Sequence, residues 1–148
     1  MTTFFKPIVL SFSLLFCLGC KKEVADVITY ELTLTATKST NGTTNFTEIK
    51  YTDGNKAVQT ITNSTSDFNT KFVIATSFPI SFSVKGTATG GSASALPTPT
   101  ISYKVEKITN GTTREAMCNE FAASISGSGT SYTFSQVYGK VFSGTDCK

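Results

Sequence analysis

Four cysteines and no histidine set the chemistry open to this 148-residue chain. A thiol can be acylated, can pair with another thiol, or can ligate a soft metal once deprotonated. Without histidine there is no ordinary general base near neutral pH, no Ser-His or Cys-His nucleophile pair, and no imidazole ligand for zinc. The cysteines fall in two groups. Cys17 and Cys20 lie in the first twenty residues, just after the apolar run Ile8 to Leu18, and Lys21-Lys22-Glu23 follows at once. Cys118 and Cys147 lie near the other end.

The first group carries a resemblance. Lys6, then Ile8, Val9, Leu10, Phe12, Leu14, Leu15, Phe16 and Leu18, then Gly19 before Cys20, are the three parts of a secretory signal. The tetrapeptide Cys17-Leu18-Gly19-Cys20 resembles the lipobox of bacterial lipoproteins, departing from it at Cys17, where that family usually has leucine. The apolar run of about eleven residues is short for a hydrocarbon core of roughly 30 Å. The resemblance implies a signal peptide over residues 1–19, a lipid on Cys20, and a tether over residues 20–26. It also implies a membrane partner through that lipid, in the bacterial cell envelope. Lysine rather than aspartate after the cysteine points to the outer membrane, with the domain periplasmic or surface-exposed. Cleavage by an ordinary signal peptidase would leave Cys20 unlipidated and the domain simply secreted.

Removing residues 1–19 leaves about 129 residues, enough for one domain. Of 13 basic side chains Lys6 goes with the leader, so 12 face 10 acidic ones, scattered along the chain. A nucleic-acid partner would want a basic stripe, and none is present. With Cys17 discarded and Cys20 acylated, Cys118 and Cys147 remain as a pair for one disulfide in an oxidising compartment, or as two free thiols. Two cysteines cannot build a thiolate metal site, and no phosphate loop, dinucleotide fingerprint or calcium loop is spelled. Neither a metal nor a cofactor is expected. Gly127-Ser128-Gly129 has the centre of a nucleophile elbow without its flanks and reads as a loop. A carboxylate pair could hydrolyse glycosides, but Asp53 and Asp67 read as turn residues.

The elements that would position these groups are strands. Ile28, Tyr30, Leu32, Leu34 and Ala36 alternate with Thr29, Glu31, Thr33, Thr35 and Thr37, the period of a half-buried strand. Further strands are expected near Phe46–Tyr51, Lys56–Thr62, Phe68–Thr76, Phe78–Val84, Ile101–Glu106 and Thr112–Arg114, with Tyr132–Phe134 and Val137–Phe142 closing the series. Asn41-Gly42, Asp53-Gly54 and Asn110-Gly111 are hairpin signals. Ala88 to Thr100 reads as a long loop, and Arg114 to Ala123 is open between strand and helix, since Met117 and Phe121 sit four apart.

The expected fold is all-β: an antiparallel, immunoglobulin-like β-sandwich of about seven to eight strands over residues 27–148, with an up-and-down barrel as the alternative. Tyr30, Leu32, Leu34, Ile49, Tyr51, Phe72, Ile74, Ile80, Phe82, Val84, Ile101, Tyr103 and Val105 form the expected inward set. Tyr132 and Tyr138, near the glycine-rich C-terminal region, are the tyrosines expected to be exposed and to offer a ligand platform.

The run Tyr30 to Thr37, the Phe46–Tyr51 segment and the Ile101–Glu106 strand with its Asn110-Gly111 turn resemble small Bacteroidota-type lipoproteins and the periplasmic domain of MmpS-type transport accessory proteins. That resemblance implies a non-catalytic sandwich that contacts a membrane complex. The expected function is a non-enzymatic, lipid-anchored protein that binds an envelope protein or glycan. A carbohydrate- or small-ligand-binding module and a structural subunit assembling by strand addition are the alternatives. The cysteine pairing is checked by counting thiols on unreduced mature protein. None should react, and two reactive thiols would rule out the bridge.

Overall fold

The computed structural model describes residues 24–92, 95–122 and 125–148. The leader 1–19, Cys20 and most of the tether lie outside these residues, as does Ala123. Among the described residues there are nine strands: β1 (Ile28–Thr37), β2 (Thr43–Thr52), β3 (Val58–Ser64), β4 (Phe68–Ile74), β5 (Phe78–Thr89), β6 (Thr100–Thr109), β7 (Thr113–Ala122), β8 (Ser126–Ser128) and β9 (Ser131–Phe142). They form two antiparallel sheets, ordered β4-β1-β6-β7 and β3-β2-β5-β9-β8, and make a β-sandwich. The count exceeds the expected seven or eight by β8, three exposed residues with no apolar side chain to announce them. The Tyr132–Phe134 and Val137–Phe142 segments are one strand.

Alternation builds the core. Phe78, Ile80, Phe82, Val84 and Ala88 of β5 face inward, as do Leu32, Leu34 and Ala36 of β1. The same phase carries β5 to Thr89, so the expected loop loses its first two residues to the strand. Pro79 is tolerated because β2 reaches β5 only at Phe82, which leaves β9 as the sole neighbour at the proline.

Two β-bulges break the phase. Between Phe46 and Glu48 the register of β2 against β5 slips by one, so Phe46 and Ile49 both point inward. Phe46 is therefore a core residue that strict alternation from Ile49 and Tyr51 leaves out. The second bulge, at Val105/Glu106 in the β6–β7 ladder, inserts Met117. Met117 and Cys118 then both pack on the core although they are sequence neighbours. The Arg114–Ala122 stretch is strand, and the four-residue spacing of Met117 and Phe121 marks no shared face, since Phe121 is exposed.

Turn chemistry follows the sequence. Asn110 and Gly111 have φ of 53° and 73°, and Thr112 N–H donates to Thr109 O at 3.2 Å, a primed turn of the kind that matches strand twist. The Asp53 carboxylate accepts the backbone N–H groups of Asn55 and Ala57 and the Gln59 amide, at 2.9, 3.0 and 2.7 Å.

Cys118 and Cys147 are joined in a disulfide with their Cα atoms 6.1 Å apart. The C-terminal tail turns back beside β9, with Phe142 opposite Cys147 and reciprocal bonds between Val141 and Lys148. The bridge therefore ties β7 of one sheet to a tail laid on the other. Closing a loop of this size is worth about 3.5 kcal/mol in the chain-entropy model.

Gly86 tests the packing. A Cβ there would lie 2.3 Å from the Asn45 carbonyl oxygen and 2.3 Å from the Phe134 ring. Gly86→Ala should cost about 1–3 kcal/mol by overpacking. Thermal denaturation measures it, and an unchanged melting temperature would contradict the close approach of the Asn45 carbonyl and the Phe134 ring to Gly86.

Candidate functional site

The strands run between two ends. One holds residues 24–27, the β2–β3, β4–β5 and β6–β7 turns and the C-terminal tail. There Asn110 grips the incoming chain: its amide donates to Asp26 at 2.7 Å, its side-chain oxygen accepts Val27 N–H at 2.9 Å, and its own N–H donates to Val27 O at 2.8 Å. The other end holds the β1–β2, β3–β4 and β5–β6 loops.

At this second end lies an open cleft of about 450 Å³, lined by Lys38, Ser39, Gly42, Thr43, Thr44, Asn45 and Thr65. Its walls are held by short polar contacts. Asp67 accepts Lys38 N–H at 2.8 Å, and the buried Thr44 hydroxyl accepts Ser39 N–H at 3.1 Å. Gly42, with φ of 154°, lets the loop pass close to β5: a Cβ there would sit 2.4 Å from Thr89 O. The Asn45 side-chain oxygen is buried and has no hydrogen-bond partner among the described residues. A buried acceptor left unpaired is costly. The cleft itself presents the side chains of Lys38, three threonines and Ser39 along with Asn45. None of these residues is of a chemically distinctive type. The Asn41-Gly42 turn was the one sequence signal near them.

Tyr132 and Tyr138 are not exposed, contrary to the sequence expectation: they are 8% and 2% accessible. The phase of β9 decides this, because Tyr132, Phe134, Tyr138 and Phe142 all share its inward face. Their hydroxyls are also engaged. Tyr132 donates to Gly129 O at 2.7 Å, and Tyr138 donates across to Ile101 O at 2.8 Å. Neither forms a platform, and neither lines the cleft.

The carboxylates form neutralised clusters on the outer faces. Glu31 and Glu106 share Arg114 at 2.8 and 3.2 Å, and Lys104 lies 2.7 Å from Glu106. The Arg114 hydrogen bond holds Glu31 below the usual carboxylate range, and Lys104 does the same for Glu106. Acids held ionised in this way are poor proton donors. On the other sheet Glu48 lies between Lys50 and Lys85, at 2.9 and 3.2 Å. Among the described residues no group of three or more His, Cys, Asp or Glu could hold a metal ion, and no helix is long and apolar enough to cross a membrane.

The fold and cleft define an antiparallel β-sandwich with an open cleft at one end. No protein-family model matches the chain, and no curated protein or solved structure matches it.

Burial, and then the nearby Glu120, push the Tyr103 and Tyr138 phenols up to about 12. The neutral phenol is thus favoured in the folded state. The stability it carries is full below the unfolded value of about 10 and is lost as pH rises through about 12. Ultraviolet titration of tyrosinate should show two late-titrating phenols, one of them absent in Tyr138→Phe. All five tyrosines ionising together near pH 10 would contradict the burial of this pair.

Proposed function

We propose that the protein is a non-enzymatic, lipid-anchored component of the bacterial envelope that binds another envelope molecule at the sandwich end far from its anchor. The observation that carries this reading is polarity of the domain itself. The chain reaches β1 at the Asn110 end, and the cleft opens at the opposite end. A six-residue tether, 21–26, spans at most about 20 Å. A twelve-residue strand such as β9 is about 40 Å long at 3.3–3.4 Å per residue. A lipid on Cys20 would hold the Asn110 end near the bilayer and present the cleft to whatever lies beyond.

The cleft's chemistry favours a polar partner. Its hydroxyls and one ammonium suit a hydroxyl-rich ligand, which supports the carbohydrate-binding alternative as the more specific form of the same reading.

Two measurements test it. Membrane fractionation should retain the wild-type protein and release Cys20→Ala, and equal retention of both forms ends the lipid anchor. A photocrosslinking residue at Ser39 or Thr65 should capture an envelope component from native membranes, while one at Asp53, in a turn at the anchored end, should not. Equal capture from both ends would remove the cleft from the reading.

A further inference from the structure

A sheet edge exposes a row of unpaired backbone N–H and C=O groups, and stable monomers blunt such edges with charges, bulges, short strands or covering segments. Three of the four edges here are blunted. β4 carries Lys71 at its centre, ion-paired to Glu31 at 3.7 Å. β7 carries Arg114, Glu115 and Glu120 and the bulge at Met117. β8 is only three residues long, and the tail covers β9 near its end.

β3 is the exception. It pairs with β2 alone, and its sequence Val-Gln-Thr-Ile-Thr-Asn-Ser has no charge, proline or glycine and is rich in β-branched residues. Six of its seven residues are exposed, with Val58 71% and Ile61 37% accessible. Ile61 lies opposite Ile49, a core residue, and so belongs to the inward face. It remains partly exposed at the edge of its sheet, where β3 has β2 as its one neighbour.

We infer that the β3 edge pairs with the β3 edge of a second copy of this chain. The pairing is antiparallel, Val58–Thr62 against Val58–Thr62 about a two-fold axis at Thr60, and it joins two five-stranded sheets into one of ten. The flanking charges favour the antiparallel direction over the parallel one. Lys56 stands just before the strand and Asp67 just after it, both exposed or nearly so. Antiparallel apposition brings the lysine end of each copy to the aspartate end of the other, whereas a parallel pair would align like with like. The same arrangement makes the two Ile61 side chains diagonal neighbours on the uncovered inner face, within reach of one another. Asn63, at φ of 52°, leaves extended geometry and ends the regular ladder at Thr62. The contact is short, so the dimer is concentration-dependent rather than obligate.

Sedimentation of the full chain in detergent, over a wide concentration range, should show a monomer–dimer equilibrium. Thr60 is solvent-facing, so Thr60→Lys should leave the circular dichroism spectrum and melting temperature unchanged while the dimer is lost. In a Cys20→Ala background, Thr60→Cys should form a disulfide-linked dimer faster than Ser135→Cys, an exposed control on β9. A monomer at every concentration, a dimer that survives Thr60→Lys, or equal crosslinking of the two cysteine variants would each overturn the pairing. None of these outcomes depends on whether the cleft binds an envelope molecule.

Discussion

The hydrogen bond from the Tyr138 hydroxyl to the Ile101 carbonyl crosses the sandwich in a buried setting, from β9 in one sheet to β6 in the other. Hydrophobic burial holds two sheets together but is non-directional, so it leaves their offset weakly specified. A buried donor aimed at one carbonyl specifies that offset, since sliding would strand a polar group at a cost of about 1–3 kcal/mol. The aromatic row around it depends on the same placement. Tyr51, Phe68, Phe82, Tyr138 and Tyr103 follow one another with ring centroids 5.2, 5.9, 6.2 and 5.1 Å apart, crossing between the sheets at every step except Phe82 to Tyr138, which are neighbours in one sheet. The disulfide adds to this on one flank, where β7 meets the C-terminal tail.

With the sheets fixed in offset, the two ends acquire different characters from the same loop chemistry. At one end Asn110 serves twice, as the left-handed residue of a primed turn and as the clamp on Asp26 and Val27. A side chain with both a donor and an acceptor can do this, which the Asn-Gly hairpin signal alone does not foretell. At the other end the β5–β6 connection is the longest in the fold, the β1–β2 loop passes close to β5 at Gly42, and side chains of the β1–β2 loop and the start of β2 line a cleft in place of a hairpin tip.

Period-two alternation made the class of fold and most of the core legible. It worked wherever the ladder is regular: in β1 and β5 every expected inward residue is buried or packed against the core. It failed where a bulge changes the phase, which is why Phe46 escaped and why the neighbours Met117 and Cys118 both pack on the core. Tyr132 and Tyr138 were misplaced for another reason. Their glycine-rich surroundings suggested a loop, yet they share parity with Phe134 and Phe142, and that parity was the better guide. The cleft was not legible at all. Its residues come from the β1–β2 loop, the start of β2 and the β3–β4 turn, and most are ordinary Ser, Thr and Asn, so no residue type singles them out.

The inequality of the sheets explains the asymmetry of their flanks. Five strands over four must leave one strand overhanging, and the chain treats the two flanks of the larger sheet differently. On the β8–β9 side a tail, a short strand and a disulfide close the edge. On the β3 side no such device is present among the described residues, and Ile61, in line with the core through Ile49, stays 37% accessible. If the overhang were only tolerated, a charge at Thr60 or Thr62 would blunt it at no packing cost, because both lie on the solvent face beside Lys50 and Glu48. The ion pairs stop one strand short of the edge, with Glu48 held between Lys50 and Lys85. The charges therefore neutralise each other inside the sheet and leave the rim unmarked. That distribution keeps the edge open to main-chain pairing while leaving the monomer's own core complete.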